Sequence, residues 1–314
     1  MVVQDLCSSG LDSKAERGKK ASSCRVEGSE AERGDRPYHL QWQNSQEESL
    51  SSSSSELTCF YVNARKLTCK MEQFEAWMND VNPDIIGVTE SWSSDLVLDS
   101  ELSLPGYDLF RHDRPVAREG GGVLLYVKSK LHAVSYSLSS DFPEQVWCYF
   151  LDANKVKCFV GVCYRTPSAD IFGSLNHDKL ADVINELGSS KKHFLLMGDF
   201  NYRFLSWPPQ DAETTISKEA GEFCNLLDDH FLTQHVDVPT RGNAILDLVI
   251  TDEPDMVSDL TDVGRFVGSD HNALVWTFQV DTTHTTTRSQ QFNYLKADVD
   301  SISFVICLQN KAGW

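Results

Sequence analysis

The most constraining feature of this chain is a repeated arrangement of apolar, strand-like runs that stop at, or are broken by, a polar residue. DIIGVTE ends at Glu90, and FLLMGDFN ends at Asp199 and Asn201. AILDLVI carries Asp247 within it, and Asp270 and His271 stand just before NALVWTF. Strand interiors seldom hold a carboxylate unless it is paired or metal-bound, because desolvating the charge is costly. Strand ends that converge on one edge can build a shared pocket from segments remote in sequence. The pattern predicts a layered core with its polar residues gathered along one rim.

The segments between these runs fit that picture. LTCFYVNA reads as a strand ending at Asn63, and MEQFEAWMNDV places Met71, Phe74, Trp77, Met78 and Val81 at helical spacing. Asn82 and Pro83 close that helix. YDLFRHDR and GVLLYVKSKL are further strands, separated by a loop whose Gly120, Gly121 and Gly122 permit a tight turn. QVWCYFLD and KVKCFVGVCYRTP predict a β-hairpin turning near Asp152 to Asn154. Helical patterns cover residues 169–187 and about 218–231. Few helices among many short strands do not spell a βαβ repeat. They suit a two-sheet core over residues 57–280 with helices packed outside. Residues 1–56, rich in Ser, Glu, Gly and Arg, read as a flexible leader, and residues 281–314 as a linker-like tail.

Composition limits the function classes. A hydrophobic fraction of 41% supports a sizeable core, while 28 basic against 46 acidic residues give a net charge of -18. That excludes a basic protein of the histone kind, which wraps nucleic acid by charge alone. A nuclease remains open, because divalent ions offset carboxylates locally at a phosphate. Any nucleic acid would meet an unfavourable mean field and need local arginine contacts. Arg111, Arg114, Arg118, Arg165, Arg203 and Arg241 fall in loops near the polar rim and are the candidates for phosphate contacts. Trp92, Phe204 and Trp207 are expected either to pack beneath the site or to meet a deoxyribose.

Nine cysteines without zinc-finger spacing, an odd number, read as structural thiols in a reducing compartment. The N-terminal MVVQDLCSSGLDSK lacks a secretory apolar region, and no apolar run is long enough to span a membrane. The expected setting is intracellular, nuclear if the protein acts on chromosomal DNA and otherwise cytoplasmic, with no membrane partner.

Glu90, Asp199, Asn201, Asp247 and Asp270 form an oxygen-rich donor set with one histidine, His271, and no Cys/His cluster. Hard oxygen ligands suit Mg²⁺ or Mn²⁺ better than structural zinc. A histidine beside a carboxylate can act as a base once a carboxylate fixes its tautomer.

Seven segments together resemble a known family. They are VNARKL (62–67), PDIIGVTESW (83–92), GGGVLLYVK (120–128), GVCYRTPS (161–168), LLMGDFNYRFLSW (195–207), TRGNAILDLVIT (240–251) and GSDHNALVW (268–276). In this order they resemble the endonuclease/exonuclease/phosphatase, or DNase I-like, superfamily, and most closely the endonuclease domains of CR1 and jockey-type non-LTR retrotransposons. The resemblance implies an α/β fold, a four-layer α/β/β/α sandwich with two packed mixed β-sheets. It implies an Mg²⁺-dependent phosphodiester hydrolase, with Mn²⁺ able to substitute, that nicks duplex DNA to leave a 3′-hydroxyl and a 5′-phosphate.

Carried over residue by residue, Glu90 matches the principal metal ligand, with Asn63 and Asp270 on the metal side. Tyr164 matches the tyrosine bonded to the scissile phosphate, Asp199 the residue that positions or activates water, and Asn201 a phosphate- and metal-side asparagine. Asp247 matches the carboxylate that orients the histidine, and His271 the histidine at the reacting phosphate. Arg165, Arg203 and Arg241 are the weaker phosphate contacts.

Two departures matter. Arg65 stands where repair nucleases of the superfamily often carry a second acidic residue, which weakens an abasic-site reading, and Thr166 replaces a frequent proline. The tail resembles the linker that follows such domains, but a reverse transcriptase does not fit within residues 281–314. The chain is expected to be a monomer without one. A phosphatase acting on lipid or other small phosphate esters shares the catalytic geometry. RNA cleavage, exonuclease action and a catalytically silent, retrotransposon-derived DNA-binding module are the other readings.

Overall fold

Period-two alternation of apolar residues in the strands decides the layering. In the computed structural model, which describes residues 56–114, 120–167, 173–189, 193–203, 205 and 218–280, the first strand, β1, covers Glu56–Asn63. Leu57, Cys59 and Tyr61 face one apolar core, and Phe60 and Val62 face another. The strand β4 (Val123–Lys128) does the same, with Val123, Leu125 and Val127 on one side and Leu124 and Tyr126 on the other. A sheet that buries both faces must be covered twice.

Helix α1 (Met71–Val81) covers the outer face, burying Phe74 and Met78. It ends where Asn82 takes a left-handed φ of 51° and donates its N–H to Met78 O at 2.8 Å, directly before Pro83. A second sheet covers the inner face.

The first sheet joins β1 and β4 to β2 (Ile85–Thr89), β3 (Tyr107–His112), β11 (Val257–Arg265) and β12 (Asn272–Gln279), in the order β11-β12-β1-β2-β4-β3. The second contains β5 (Val134–Tyr136), β6 (Gln145–Leu151), β7 (Lys157–Tyr164), β8 (His193–Asp199), β9 (Thr233–Gln234) and β10 (Asp247–Thr251), in the order β5-β6-β7-β8-β10-β9. Each sheet contains one parallel pair, β1 with β2 and β7 with β8, among antiparallel neighbours. Both sheets are therefore mixed.

The sheets meet closely at Gly87, where the space of a side chain is already filled by Met197 and Val162. Helices α3 (Gly173–Ser189) and α4 (Lys218–Asp229) lie against the second sheet and contribute Leu180, Val183, Ile184, Leu187, Phe223 and Leu227 to its core. A one-turn helix, α2 (Asp99–Leu102), adds Leu102 to the outer core beside α1. The expected α/β/β/α sandwich is the observed architecture.

The expected hairpin is β6–β7, with Asp152 N–H donating to Val156 O at 2.9 Å across the turn. The elements that sequence reading leaves out are α2, β5, β9 and β11. The longest of these, β11, reads VSDLTDVGR, is largely open to solvent and pairs with β12 through two register shifts. An edge strand of this kind carries no apolar alternation to read. The leader expected over residues 1–56, apart from Glu56, and the tail expected over 281–314 lie outside the described residues. No described helix is long and apolar enough to cross a membrane.

Candidate active site

Strand register assembles the site. Asp199 is the last residue of β8, and across the second sheet it stands opposite Tyr164, the last residue of β7, and Asp247, the first of β10. In the first sheet Asn63 ends β1 opposite Thr89, the last residue of β2, and Glu90 follows at once. His271 immediately precedes β12, which runs antiparallel to β1. The rim expected from sequence therefore forms from both sheets, and its residues come from the ends of several strands.

At the centre His271 Nδ1 donates to Asp247 Oδ2 at 2.7 Å. Asp247 Oδ1 accepts from the Tyr61 hydroxyl at 2.9 Å, and Tyr61 in turn accepts from Thr89 Oγ1 at 2.7 Å. The Asp247 N–H donates to Thr240 Oγ1 at 3.1 Å. With Nδ1 committed to Asp247, the other ring nitrogen, Nε2, faces Asp199 Oδ2 at 3.9 Å. Asp199 Oδ2 also accepts from Asn63 Nδ2 at 2.9 Å, and its Oδ1 accepts the Asn201 N–H at 3.1 Å. Asn63 Nδ2 further reaches Glu90 Oε1 at 3.1 Å. Glu90 accepts from the Tyr164 hydroxyl at 3.3 Å and from Trp92 Nε1 at 3.3 Å. A continuous chain of contacts thus runs from Tyr61 through Asp247, His271, Asp199 and Asn63 to Glu90.

Burial sets the protonation of these groups. Desolvation, with the neighbouring Asp247 charge, pushes the Asp199 carboxyl far above the ordinary carboxylate range. Burial alone would pull the His271 imidazole down, but Asp247, through charge and hydrogen bond, and Asp199 lift it to about 9. Burial and then the Glu90 and Asp199 charges push the Tyr164 phenol far up, so it remains a neutral donor. Tyr61 is raised by burial and then by Asp247 in the same way.

Backbone strain surrounds the carboxylates. Arg65, Lys66, Glu90 and Trp92 have positive φ, a region unfavourable for residues other than Gly, Asn and Asp, and Asn201 shares it at little cost. The turn at Gly120 to Gly122, also at positive φ, accepts the N–H groups of Ser91 and Trp92 and so holds the loop after Glu90.

Asp199, Asp247 and His271 each offer a ligand atom, all within 4.8 Å of one another, a cluster that could hold a metal ion. With Glu90 nearby, carboxylates outnumber the single imidazole. The donor chemistry fits a hard divalent cation.

A model described as the endonuclease/exonuclease/phosphatase family matches residues 53–271. The chain belongs to that family. Comparison with curated proteins gave no match. Among solved structures, an AP endonuclease, LMAP, from Leishmania major is similar at TM-score 0.59 and 16% identity, covering 72% of this chain and 88% of that one. The endonuclease domain of TRAS1, a telomere-specific non-LTR retrotransposon, is similar at TM-score 0.52 and 16% identity, covering 71% and 98%. The 3′ phosphatase NExo from Neisseria gives TM-score 0.55 at 16% identity, covering 71% and 100%. At these identities the likeness is one of fold, and the relationship to retrotransposon endonucleases is distant.

Within this family framework some expected residues sit differently. Asp270, expected on the metal side, turns its two oxygens to Arg65 Nη1 at 3.5 Å and Arg241 Nη2 at 2.6 Å. Burial would raise its carboxyl, but Arg241, a backbone hydrogen bond, His271 and Arg65 hold it below the usual range. Asn201 turns its Nδ2 to Arg165 O at 2.9 Å.

Arg165, expected on a phosphate, is 1% exposed. It pairs with Glu219 on α4, donates to Phe200 O at 3.3 Å and stacks 4.2 Å above the Tyr202 ring. It is a buried brace behind the site. Arg111 is engaged by Asp99, Asp113 and the carbonyls of Ser94 and Val97, and Arg114 by Glu144. Arg203 is exposed, and Arg118, Phe204 and Trp207 lie outside the described residues. Trp92, expected as packing or a sugar contact, donates to Glu90.

Sequence reading misses Tyr61, Thr240 and Ser269. Tyr61 lies two residues before Asn63 and so shares its strand face, a signal that could have found it. Ser269 Oγ donates to Asn63 O at 2.7 Å and accepts the His271 N–H at 3.1 Å, and nothing in GSDHN announces that role.

Proposed function

We propose that the protein is a divalent-metal-dependent phosphodiester hydrolase that nicks duplex DNA, leaving a 3′-hydroxyl and a 5′-phosphate. The observation that carries this reading is the line Asp247–His271–Asp199, which sets an imidazole fixed at Nδ1 against a buried carboxylate whose affinity for protons is raised. Glu90, which accepts from Asn63 Nδ2 at 3.1 Å, would hold Mg²⁺ or Mn²⁺. A bound divalent ion supplies charge neutralisation at the phosphate and the departing alkoxide.

The chain's own groups do the remainder. Asp199 aligns a water for in-line attack and takes its proton, a task suited to a carboxylate of raised proton affinity. His271, held protonated by Asp247, places positive charge beside the phosphate as negative charge builds there and gives its Nε2 proton to the departing 3′ oxygen. Tyr164, a neutral phenol, donates a hydrogen bond to a phosphate oxygen without adding charge. Tyr61 holds the second oxygen of Asp247, so the carboxylate cannot swing away from His271.

The test is nicking of supercoiled plasmid in Mg²⁺ by the full chain. Nicking is expected to disappear with EDTA, in His271→Ala and in Asp199→Asn. No nicking by a folded, metal-loaded protein on varied sequences overturns the reading. Turnover of small phosphate monoesters in its place would make the protein a phosphatase.

A further inference from the structure

On a chain with 46 acidic and 28 basic side chains, a polyanion can be held only where cations are gathered at the contact. Such a gathering stands beside His271. Asp270 lies between two guanidiniums, Arg241 Nη2 at 2.6 Å and Arg65 Nη1 at 3.5 Å, and the three side chains are 36%, 36% and 54% exposed in the order Asp270, Arg241, Arg65.

Each member is tied to the site. The Arg65 N–H donates to Asn63 Oδ1 at 3.2 Å, and Lys70 Nζ donates to Ala64 O and Arg65 O, both at 2.8 Å. Those bonds hold Arg65 and Lys66 at positive φ, 42° and 76°. Asp270 adjoins His271, whose N–H is anchored by Ser269 to the Asn63 carbonyl. Arg241 follows Thr240, whose Oγ1 accepts the Asp247 N–H at 3.1 Å and whose carbonyl accepts the Asn272 N–H at 2.8 Å.

Exposed ion pairs contribute little to stability, and a strained backbone subtracts from it. Two arginines on one exposed aspartate are therefore poorly explained as a stabilising device. A guanidinium carries five N–H donors, more than the single facing carboxylate oxygen can accept. Two arginines less one aspartate leave a net single positive charge, matched to one phosphodiester.

We propose that Arg65 and Arg241, spaced by Asp270, form a fork that binds a DNA backbone phosphate neighbouring the one hydrolysed beside His271. The inference rests on duplex DNA being the substrate. It makes Arg65, which stands where repair nucleases of the superfamily often carry an acid, a substrate contact, and makes Asp270 the residue that positions both arginines.

The experiment reads binding separately from cutting. Full-length protein carrying His271→Ala, so that the duplex stays intact, is titrated against a fluorescent duplex in Mg²⁺ over a range of NaCl. Removing one cation that neutralises a phosphate flattens the slope of log K against log salt by about 0.9. Arg65→Gln and Arg241→Gln are each expected to flatten it by that amount, while Arg65→Lys, which keeps the charge, retains the slope. Unchanged slopes in both glutamine variants, with melting temperatures matching the parent, overturn the fork even if plasmid nicking is intact. No binding of the parent to any duplex overturns it as well. Flattened slopes in a protein that never nicks leave the fork standing and sink the hydrolase.

Discussion

His271 Nδ1 lies 2.7 Å from Asp247 Oδ2, and neither side chain is open to solvent. A buried carboxylate in contact with an imidazole does two things at once. It fixes which nitrogen carries the ring's permanent proton, and it stabilises the imidazolium. The first leaves Nε2 facing Asp199, and the second is why the His271 pKa rises to about 9 although burial opposes it.

Asp247→Asn separates these effects from packing, because the amide is nearly isosteric. With the charge gone, burial dominates, and the His271 titration is expected to fall to or below the ordinary histidine value. The folded-state pKa is raised in the wild type, so the pair's contribution to stability is complete below the unfolded value of 6.5 and is lost as pH rises through about 9. That alkaline loss should vanish in the variant. Nicking should fall by roughly 100-fold or more. Imidazole NMR of metal-free protein gives the first result and urea melts at neutral and alkaline pH the second. An imidazole that still titrates near 9 would mean that Asp247 is not what holds the proton.

Asp199 poses the opposite problem. Burial and the Asp247 charge raise its folded pKa, so the folded state binds a proton more tightly than the unfolded chain does. The favourable contribution is full below the unfolded carboxylate pKa and is lost as pH rises through the folded value. In EDTA at neutral pH, Asp199→Asn is therefore expected to raise the melting temperature while abolishing nicking. Mg²⁺ should raise the wild-type melting temperature by mass action on the native state, and the rise should be largely absent in Glu90→Gln. A variant that melts lower than the wild type in EDTA would show that the carboxylate is compensated in some other way.

Much of this site is legible in the chain because the polar residues interrupt patterns that are otherwise regular. Glu90, Asp199 and Asp247 are conspicuous as carboxylates at the ends of apolar strands, and the structure brings them together through register. What cannot be read is what a polar residue turns toward. Arg165 and Arg241 look alike in sequence, each in a loop after or before a strand. One is sealed beneath Tyr202 and Glu219 and the other stands half-open beside Asp270. Pairing partners such as Glu219 and Asp270 lie 54 and 29 residues away, respectively, and no local periodicity reports contacts of that range. The edge strand β11 is hidden for a related reason, since none of its residues is fully buried and they carry no alternation.

Arg165→Ala tests the distinction between the two arginines. Removing the buried guanidinium takes away the charge opposite Glu219, and the stacking on Tyr202 goes with it. The loss should be about 3 kcal/mol in urea unfolding. The Arg165 carbonyl and N–H also hold Asn201 Nδ2 and the Asp199 carbonyl, so nicking should fall in proportion to any misplacement of that loop. The salt dependence of DNA binding should not change, because Arg65 and Arg241, the proposed phosphate partners, remain in place. A flattened salt slope with stability intact would return Arg165 to the substrate.

His235 offers a control remote from the carboxylate cluster. Its Nε2 lies 2.7 Å from Thr251 Oγ1, and that hydroxyl donates its own proton to Glu253 O at 2.7 Å, so the ring must be the donor. The neutral Nε2–H tautomer satisfies the pair, and burial lowers the ring's pKa to about 4. The folded state thus refuses a proton that the unfolded chain accepts at 6.5. Stability from this residue is level above that value and declines as pH falls toward about 4, where the folded ring also titrates. Between about pH 7.5 and about pH 4.5 the expected loss is about 2 to 3 kcal/mol. His235→Gln keeps an N–H donor but cannot titrate. The difference in unfolding free energy between wild type and variant should therefore shrink or reverse by that amount across the window. A difference independent of pH would mean that the folded ring takes up a proton as readily as the unfolded chain does, so that burial does not hold it neutral.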